Sequence, residues 1–170
     1  MIETTLRPAT ELDADLLARI HTLSWQTAYR GILPTKYLDH DILRERQLYW
    51  QQAMTKAPSD ERLVLIAEDK HGEAIGFVSG EWDRDCGYGA LLDHFHVLPE
   101  HQGKGGGWQL MEAFMAWARQ LGVSRLYLYV LDQNENAIRF YERRGWRFAD
   151  HHVGHLGGVD LASRRYEYIF

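Results

Sequence analysis

The chain reads as an α/β (α+β) domain with a central mixed, mostly antiparallel sheet of about seven strands flanked by about four helices. Apolar residues recurring at three and four mark the helices, short runs with turn residues at their ends mark the strands, and one strand without alternation sits between two helical segments. Residues 2–7 are a first strand candidate. Thr10 and Asp13 form a capping pair, so a helix should begin there and run towards Tyr29 with Leu12, Leu16, Ile20 and Leu23 on one face. Gly31 and Pro34 end it. Residues 41–55, with Leu43, Leu48 and Trp50 among charges, give a second helix, and the pair suits an acceptor-side wall. Residues 63–67 and 75–81 flank Asp69-Lys70-His71-Gly72 and should pair antiparallel. Residues 88–98 are a further strand. Residues 107–121 follow as a helix with Leu110, Met111, Phe114, Trp117 and Ala118 on one face and Gly122 as its cap. Residues 126–131 read as a strand buried on both faces, completing a β-α-β unit. A short helix at 134–144, closed by Gly145, and strands at 146–155 and 161–169 complete the chain.

No linker-like tract interrupts the 170 residues, so residues 1–170 are expected to form a single domain. At 45% hydrophobic and 25% charged, the chain can bury a core without disulfides or metal. A formal net charge of −5 disfavours nucleic acid or an acidic membrane surface as the main partner, and leans towards a cationic amine as ligand. Cys86 is the one cysteine, which excludes an intramolecular disulfide and suits the cytoplasm. Residues 1–10 have no signal-peptide core, and no apolar run is long enough to span a bilayer. A homodimer is left open as an assembly.

The segment Gln102-Gly103-Lys104-Gly105-Gly106-Gly107 lies between a strand and a helix. Backbone N–H groups there can converge on an anion, glycines allow close approach, and the helix dipole favours negative charge. A magnesium-nucleotide loop would need Ser or Thr where Gly105 follows Lys104, and a dinucleotide fingerprint would need glycine at Trp108 or Leu110. Both known patterns fail on spacing. A phosphate cradle of another type remains, against the plain alternative of a flexible turn.

Q-x-x-G-x-G at Gln102 to Gly107, preceded by Phe95-His96-Val97-Leu98-Pro99, resembles the coenzyme A pyrophosphate motif of the GNAT (GCN5-related N-acetyltransferase) superfamily. Asn134-x-x-Ala137-x-x-Phe140-Tyr141-Glu142-x-x-Gly145-Trp146 resembles that family's second signature. The fragment Ser24-Trp25-Gln26-x-x-Tyr29-x-Gly31-x-x-Pro34 is similar to the opening helices of many bacterial members. The resemblance implies the GNAT fold and an acetyl-CoA-dependent N-acetyltransferase with no metal. The acceptor would be a small-molecule or peptide amine. It further implies that the backbone of Phe95, His96 and Val97 pairs with the pantetheine arm, and that Gly103, Lys104, Gly105, Gly106, Gly107 and Trp108, entered from Gln102, hold the pyrophosphate. Asn134 and Ala137 would meet the cofactor arm, and Tyr141 would face the sulfur. Asn134, Ala137, Ile138 and Tyr141 share a helical face by spacing alone, and Ala137 leaves room for a ligand. Gly106 departs from the family's apolar residue and Tyr129 from its occasional glutamate base, so a base must come from elsewhere.

A lysine-like amine of pKa about 10.4 costs about 4.6 kcal/mol to deprotonate at pH 7, so a proton path is useful. Asp93 and His96 are the candidates on the strand entering the loop, with His94 beside them; strict alternation would put Asp93 opposite both histidines. Tyr141 is the candidate proton donor to the leaving thiolate. His151, His152 and His155 lack a fixed-spacing acidic or cysteine partner and are read as strand or loop residues, not metal ligands. A non-catalytic acyl-CoA-binding module would keep the cradle but need neither base nor donor.

Overall fold

The computed structural model describes residues 3–170; Ile2, included in the expected first strand, lies outside the described residues. In chain order the elements are β1 (Thr5–Pro8), α1 (Ala14–Ala28), α2 (Ile42–Met54), β2 (Arg62–Glu68), β3 (Ala74–Trp82), β4 (Ala90–Val97), α3 (Gly106–Gln120), β5 (Arg125–Leu131), α4 (Glu135–Glu142), β6 (Arg147–Leu156) and β7 (Val159–Ile169). The strands form one sheet in the order β1-β2-β3-β4-β5-β7-β6. Each neighbouring pair is antiparallel except β4 with β5. Among the described residues, no helix is long and apolar enough to cross a membrane.

The turn between β2 and β3 is held as its sequence suggests, with Asp69 Oδ1 accepting from the His71 and Glu73 N–H groups at 2.8 and 3.0 Å. The entry to α1 is likewise fixed by Asp13, whose Oδ2 accepts from Thr10 N at 2.8 Å while Arg7 donates to both carboxylate oxygens at 2.8 and 2.9 Å. The Arg7 bonds hold the Asp13 carboxyl below the usual range.

The face expected for α1 is only partly the buried one: Ile20 is in the core and Leu16 packs against it, whereas the other two residues are not covered. Leu12 is 95% exposed and Leu23 42%. The helix buries Ala14, Leu17, Ala18, Ile20, His21, Thr22, Ser24 and Trp25. The reason is that this stripe carries polar groups needed beneath the helix, so apolarity alone points partly to the wrong side. In α2 the expected Trp50 is buried with Ile42, while Leu43 and Leu48 face solvent.

Two layers of core enclose the sheet. On one face Leu17, Ile20 and Trp50 pack on Ile66 and Phe77. On the other, Leu110, Met111, Phe114 and Ala118 of α3 pack with Val78, Leu126, Leu128 and Tyr166. Residues 126–131 of β5 are buried as expected, save Tyr129, which is 42% exposed where it reaches a cleft.

The β-α-β connection between β4 and β5 is present, but the two strands pair only at Ala90 with Leu126 and Leu91 with Tyr127. Gly89 brings them together there: its φ is +91°, and a Cβ at this position would lie 1.8 Å from the Arg125 carbonyl oxygen. Beyond Leu91 the strands part. A bulge lies at the same place, with Leu92 opposite Gly80, His94 opposite Ser79 and Asp93 as the extra residue. A bulge bends its strand and raises its twist, which turns β4 away from β5.

Candidate active site

The parting of β4 and β5 opens a cavity of about 720 Å³ between β4 residues 92–97 and β5 residues 128–131, with α1, α2, α4 and the glycine loop around it. Leu98 N donates to Ile75 O across β3 at 2.9 Å. Strand backbone alternates, so the N–H groups of Phe95 and Val97 point to the opposite edge, into the split. The Gln102 side chain donates to Val97 O at 3.1 Å, tying the loop to this edge.

The loop then turns on Gly103 and Gly105, with φ of +75° and +93°, before α3 begins at Gly106. The first N–H groups of a helix have no partner within it, and here they stand where the β4 edge ends. Gly106 also answers its departure from the family pattern: a Cβ there would lie 3.0 Å from Ile75 Cδ1. Gln102, Gly103 and Gly107 line the cavity, whereas Lys104, Gly105, Gly106 and Trp108 do not. Trp108 is 38% exposed, with the Arg144 guanidinium 5.3 Å from its ring centroid.

On the opposite wall, Asn134 caps α4 by accepting from Ala137 N at 3.3 Å. Asn134, Ala137 and Tyr141 all line the cavity, as their helical spacing predicts. Tyr141 is wedged against the rings of Phe95, Phe140 and Trp146 at 6.4, 5.5 and 5.9 Å. Burial, and then the neighbouring Tyr29, raise its pKa, so the phenol keeps its proton. The Tyr29 phenol is itself pushed up to about 12 by burial, against a hydrogen bond with Asn134.

The third wall joins the expected α1–α2 pair to His94 and His96, through contacts of His21, Tyr49 and Trp50 that the sequence did not show. His21 of α1 stacks on His96 at 4.5 Å and meets His94 edge-on at 4.8 Å. Trp50 Nε1 donates to His21 Nδ1 at 3.1 Å, Ser24 Oγ lies 3.0 Å from His96 Nδ1, and Tyr49 Oη lies 3.0 Å from His94 Nε2. Burial holds the His94 and His96 imidazoles down to about 3, with nearby positive charge, Arg46 included, acting in the same sense. Both are neutral at pH 7.

The alternation expected for Asp93 fails because of the bulge: its Oδ2 lies 3.4 Å from His94 Nε2. Asp93 and His94 thus act on one side, with Tyr49 between them. Loss of hydration raises the Asp93 pKa, opposed by a bond from Tyr49 and by the charges of Lys56 and Arg46. His152 instead packs on Tyr129 at 4.2 Å, and His155 Nδ1 meets Asp160 Oδ1 at 2.7 Å, both on β6.

These shifts set a pH dependence. His94 and His96 have folded pKa values near 3, below the unfolded value of 6.5. Between those limits the unfolded chain binds more protons, so their contribution is whole above pH 6.5 and is lost as pH falls towards 3. The raised Asp93 works in the opposite sense, but only around and below its own pKa. Urea titrations should show stability falling by about 1–3 kcal/mol from pH 7 to 5, water in the cavity screening part of the full linkage. His96→Gln should flatten that slope; an unchanged slope would mean that His96 is protonated without cost.

The sequence pattern of the Acetyltransferase (GNAT) family matches residues 17–146. The N-acetyltransferase YuaI of Bacillus subtilis (strain 168) is 31% identical over 140 residues, covering 81% of this chain and 77% of that protein. The spermine/spermidine N(1)-acetyltransferase of the same organism is 34% identical over 83 residues, 45% of this chain and 55% of that one. In structure, the PaiA N-acetyltransferase of Thermoplasma acidophilum in complex with coenzyme A superposes with a TM-score of 0.79 at 22% identity, covering 99% of this chain and 100% of that one, a likeness of fold. With the split sheet, the glycine loop and the α4 signature in place, the match over residues 17–146 shows that this chain belongs to the GNAT acetyltransferase family.

Proposed function

We propose that the cavity between β4 and β5 binds acetyl-CoA and passes its acetyl group directly to a small primary amine entering between α1 and α2. Membership of the family gives the class, N-acetyl transfer from acetyl-CoA. The observation that carries the assignment to this cavity is the unpaired edge of β4, which runs from the bulge at Asp93 to the N-terminus of α3. That edge offers the N–H and C=O groups an amide-bearing pantetheine arm requires, and the loop at Gly103 to Gly107 suits the pyrophosphate.

In the reaction, Val97 N–H is positioned to donate to the oxygen that becomes negative when the amine attacks the thioester carbonyl. The proton of the amine leaves by the Asp93, Tyr49 and His94 group. An imidazole held near pKa 3 is too weak a base to keep that proton, so His94 and His96 pass it on or orient the amine, and partly exposed Asp93 delivers it to solvent. Tyr141, a neutral phenol, donates a hydrogen bond to sulfur as charge develops on it. The three clustered imidazoles, His21, His94 and His96, do not form a metal site in this scheme. The Trp50 indole can only donate, so His21 Nδ1 accepts and its proton sits on Nε2, where a metal ion would need the lone pair. The single cysteine fits a reducing compartment, and we place the protein in the cytoplasm.

Calorimetry tests the cofactor assignment. Acetyl-CoA should bind with a dissociation constant of low micromolar order, about −8 kcal/mol, while NAD gives no heat. Binding of NAD in place of acetyl-CoA would overturn the assignment.

A further inference from the structure

We propose that the acceptor is a free amino acid, an amine accompanied by a carboxylate, and that Arg46 binds the carboxylate. This rests on the acetyl-transfer reading above and names what enters its amine side. Among the described residues that line the cavity, Arg46 is the sole permanent cation and Asp93 the sole carboxylate. The two charges belong to one neighbourhood, since Arg46 is among the causes that shift Asp93, His94 and His96.

Arg46 is also incompletely satisfied. Its side chain is 14% exposed, and its guanidinium lies 5.3 Å from the Trp25 ring centroid and 4.9 Å from that of Tyr49. Nη2 donates to Glu45 Oε1 at 2.8 Å, and that oxygen also accepts from Tyr37 at 2.7 Å. The Arg46 Nε–H is buried with no partner among the described residues. A buried guanidinium N–H is costly to leave unpaired, and the planar fork of arginine matches a carboxylate edge to edge. Glu45, itself 47% exposed, engages Nη2, and Arg46 lines the cavity.

Charge balance selects among amines. A polyamine would bring further positive charge against Arg46 with one carboxylate to offset it. A lysine side chain or a peptide N-terminus offers no carboxylate within a few bonds of its amine. An amino acid supplies both charges in the order the cavity presents them, ammonium towards Asp93 and carboxylate towards Arg46. The formal net charge of −5, which alone leans towards a cationic amine without choosing one, is summed over the whole surface and does not describe this site.

The test is acetyl-CoA-dependent thiol release with L-amino acids, each paired with its primary amide, and with spermidine. The enzymes are the wild type, Arg46→Gln and Arg46→Lys, with acetyl-CoA affinity measured by calorimetry as the control for a folded cofactor site. For the preferred amino acid, wild-type kcat/KM should exceed that of the amide by about 100-fold. In Arg46→Gln the ratio should fall to within about 5-fold, mainly through a higher KM for the acid, and Arg46→Lys should lie between. Spermidine or amides turned over as well as any amino acid, or a ratio unchanged in both variants, would overturn the proposal while leaving acetyl transfer standing. Failure of the wild type to bind acetyl-CoA would remove the acetyl-transfer reading and this proposal with it.

Discussion

Tyr141→Phe should lower the acetylation rate by about 10- to 1000-fold while acetyl-CoA affinity changes little. The ring would remain packed on Phe95, Phe140 and Trp146, so the α4 wall keeps its shape and only the hydroxyl goes. Loss from the rate alone identifies a contact made in the transition state, since a ground-state contact would move the dissociation constant too. The phenol's raised pKa sharpens the expectation. It is a weaker acid than a thiol of pKa about 8.5, so its contribution is a hydrogen bond to the developing thiolate, with full protonation completed by solvent. The check is single-turnover acetylation beside equilibrium binding in the same buffer. A folded Tyr141→Phe protein with wild-type turnover would leave Tyr141 as packing.

Gly105→Val should show the complementary pattern, a loss of binding. Gly105 holds φ at +93° at the turn into α3, and a Cβ there would meet nothing within 4 Å. The penalty is therefore in the backbone, not in crowding. A β-branched residue strongly disfavours that conformation, and forcing it costs of order 1–3 kcal/mol or shifts the turn. Either outcome re-aims the N–H groups at the start of α3. Acetyl-CoA affinity should fall by about 10- to 100-fold, and Gly105→Asn, which tolerates the left-handed region, should lose much less. Unchanged affinity in folded Gly105→Val would place the pyrophosphate elsewhere.

The wall proposed to hold the cofactor was legible in the sequence because its pattern is local. The loop from Gln102 to Gly107 must turn on glycines and open a helix, and the face shared by Asn134, Ala137 and Tyr141 follows from helical spacing; the loop does turn on Gly103 and Gly105, and Gln102, Gly103, Gly107, Asn134, Ala137 and Tyr141 line the cavity. On the proposed amine side, the α1–α2 wall and the strand residues Asp93, His94 and His96 were read from the sequence, but the contacts among them were not, because the groups come from distant segments. His21, Ser24, Arg46 and Tyr49 converge on β4 only through the tertiary fold. One signal was present: His21, Ser24 and Trp25 continue the spacing of Leu17 and Ala18 on the buried face of α1, so polar residues on an apolar stripe marked the site. Asp93 was misplaced for a different reason. Alternation assumes an unbroken strand, and the bulge that inserts Asp93 into β4 turns its carboxylate towards His94.

In the proposed reaction the acetyl group passes from acetyl-CoA straight to an amine held in this cavity. That transfer is tested most directly by mass spectrometry of the intact protein and of the small-molecule fraction after mixing with isotopically labelled acetyl-CoA, with and without an accepted amine. Direct transfer requires labelled acetyl on the amine nitrogen, free thiol formed only when amine is present, and no labelled protein in either mixture. Acetyl-CoA bound but never consumed with any amine would make the chain a binding module, and label accumulating on the protein before the amine is added would contradict direct transfer.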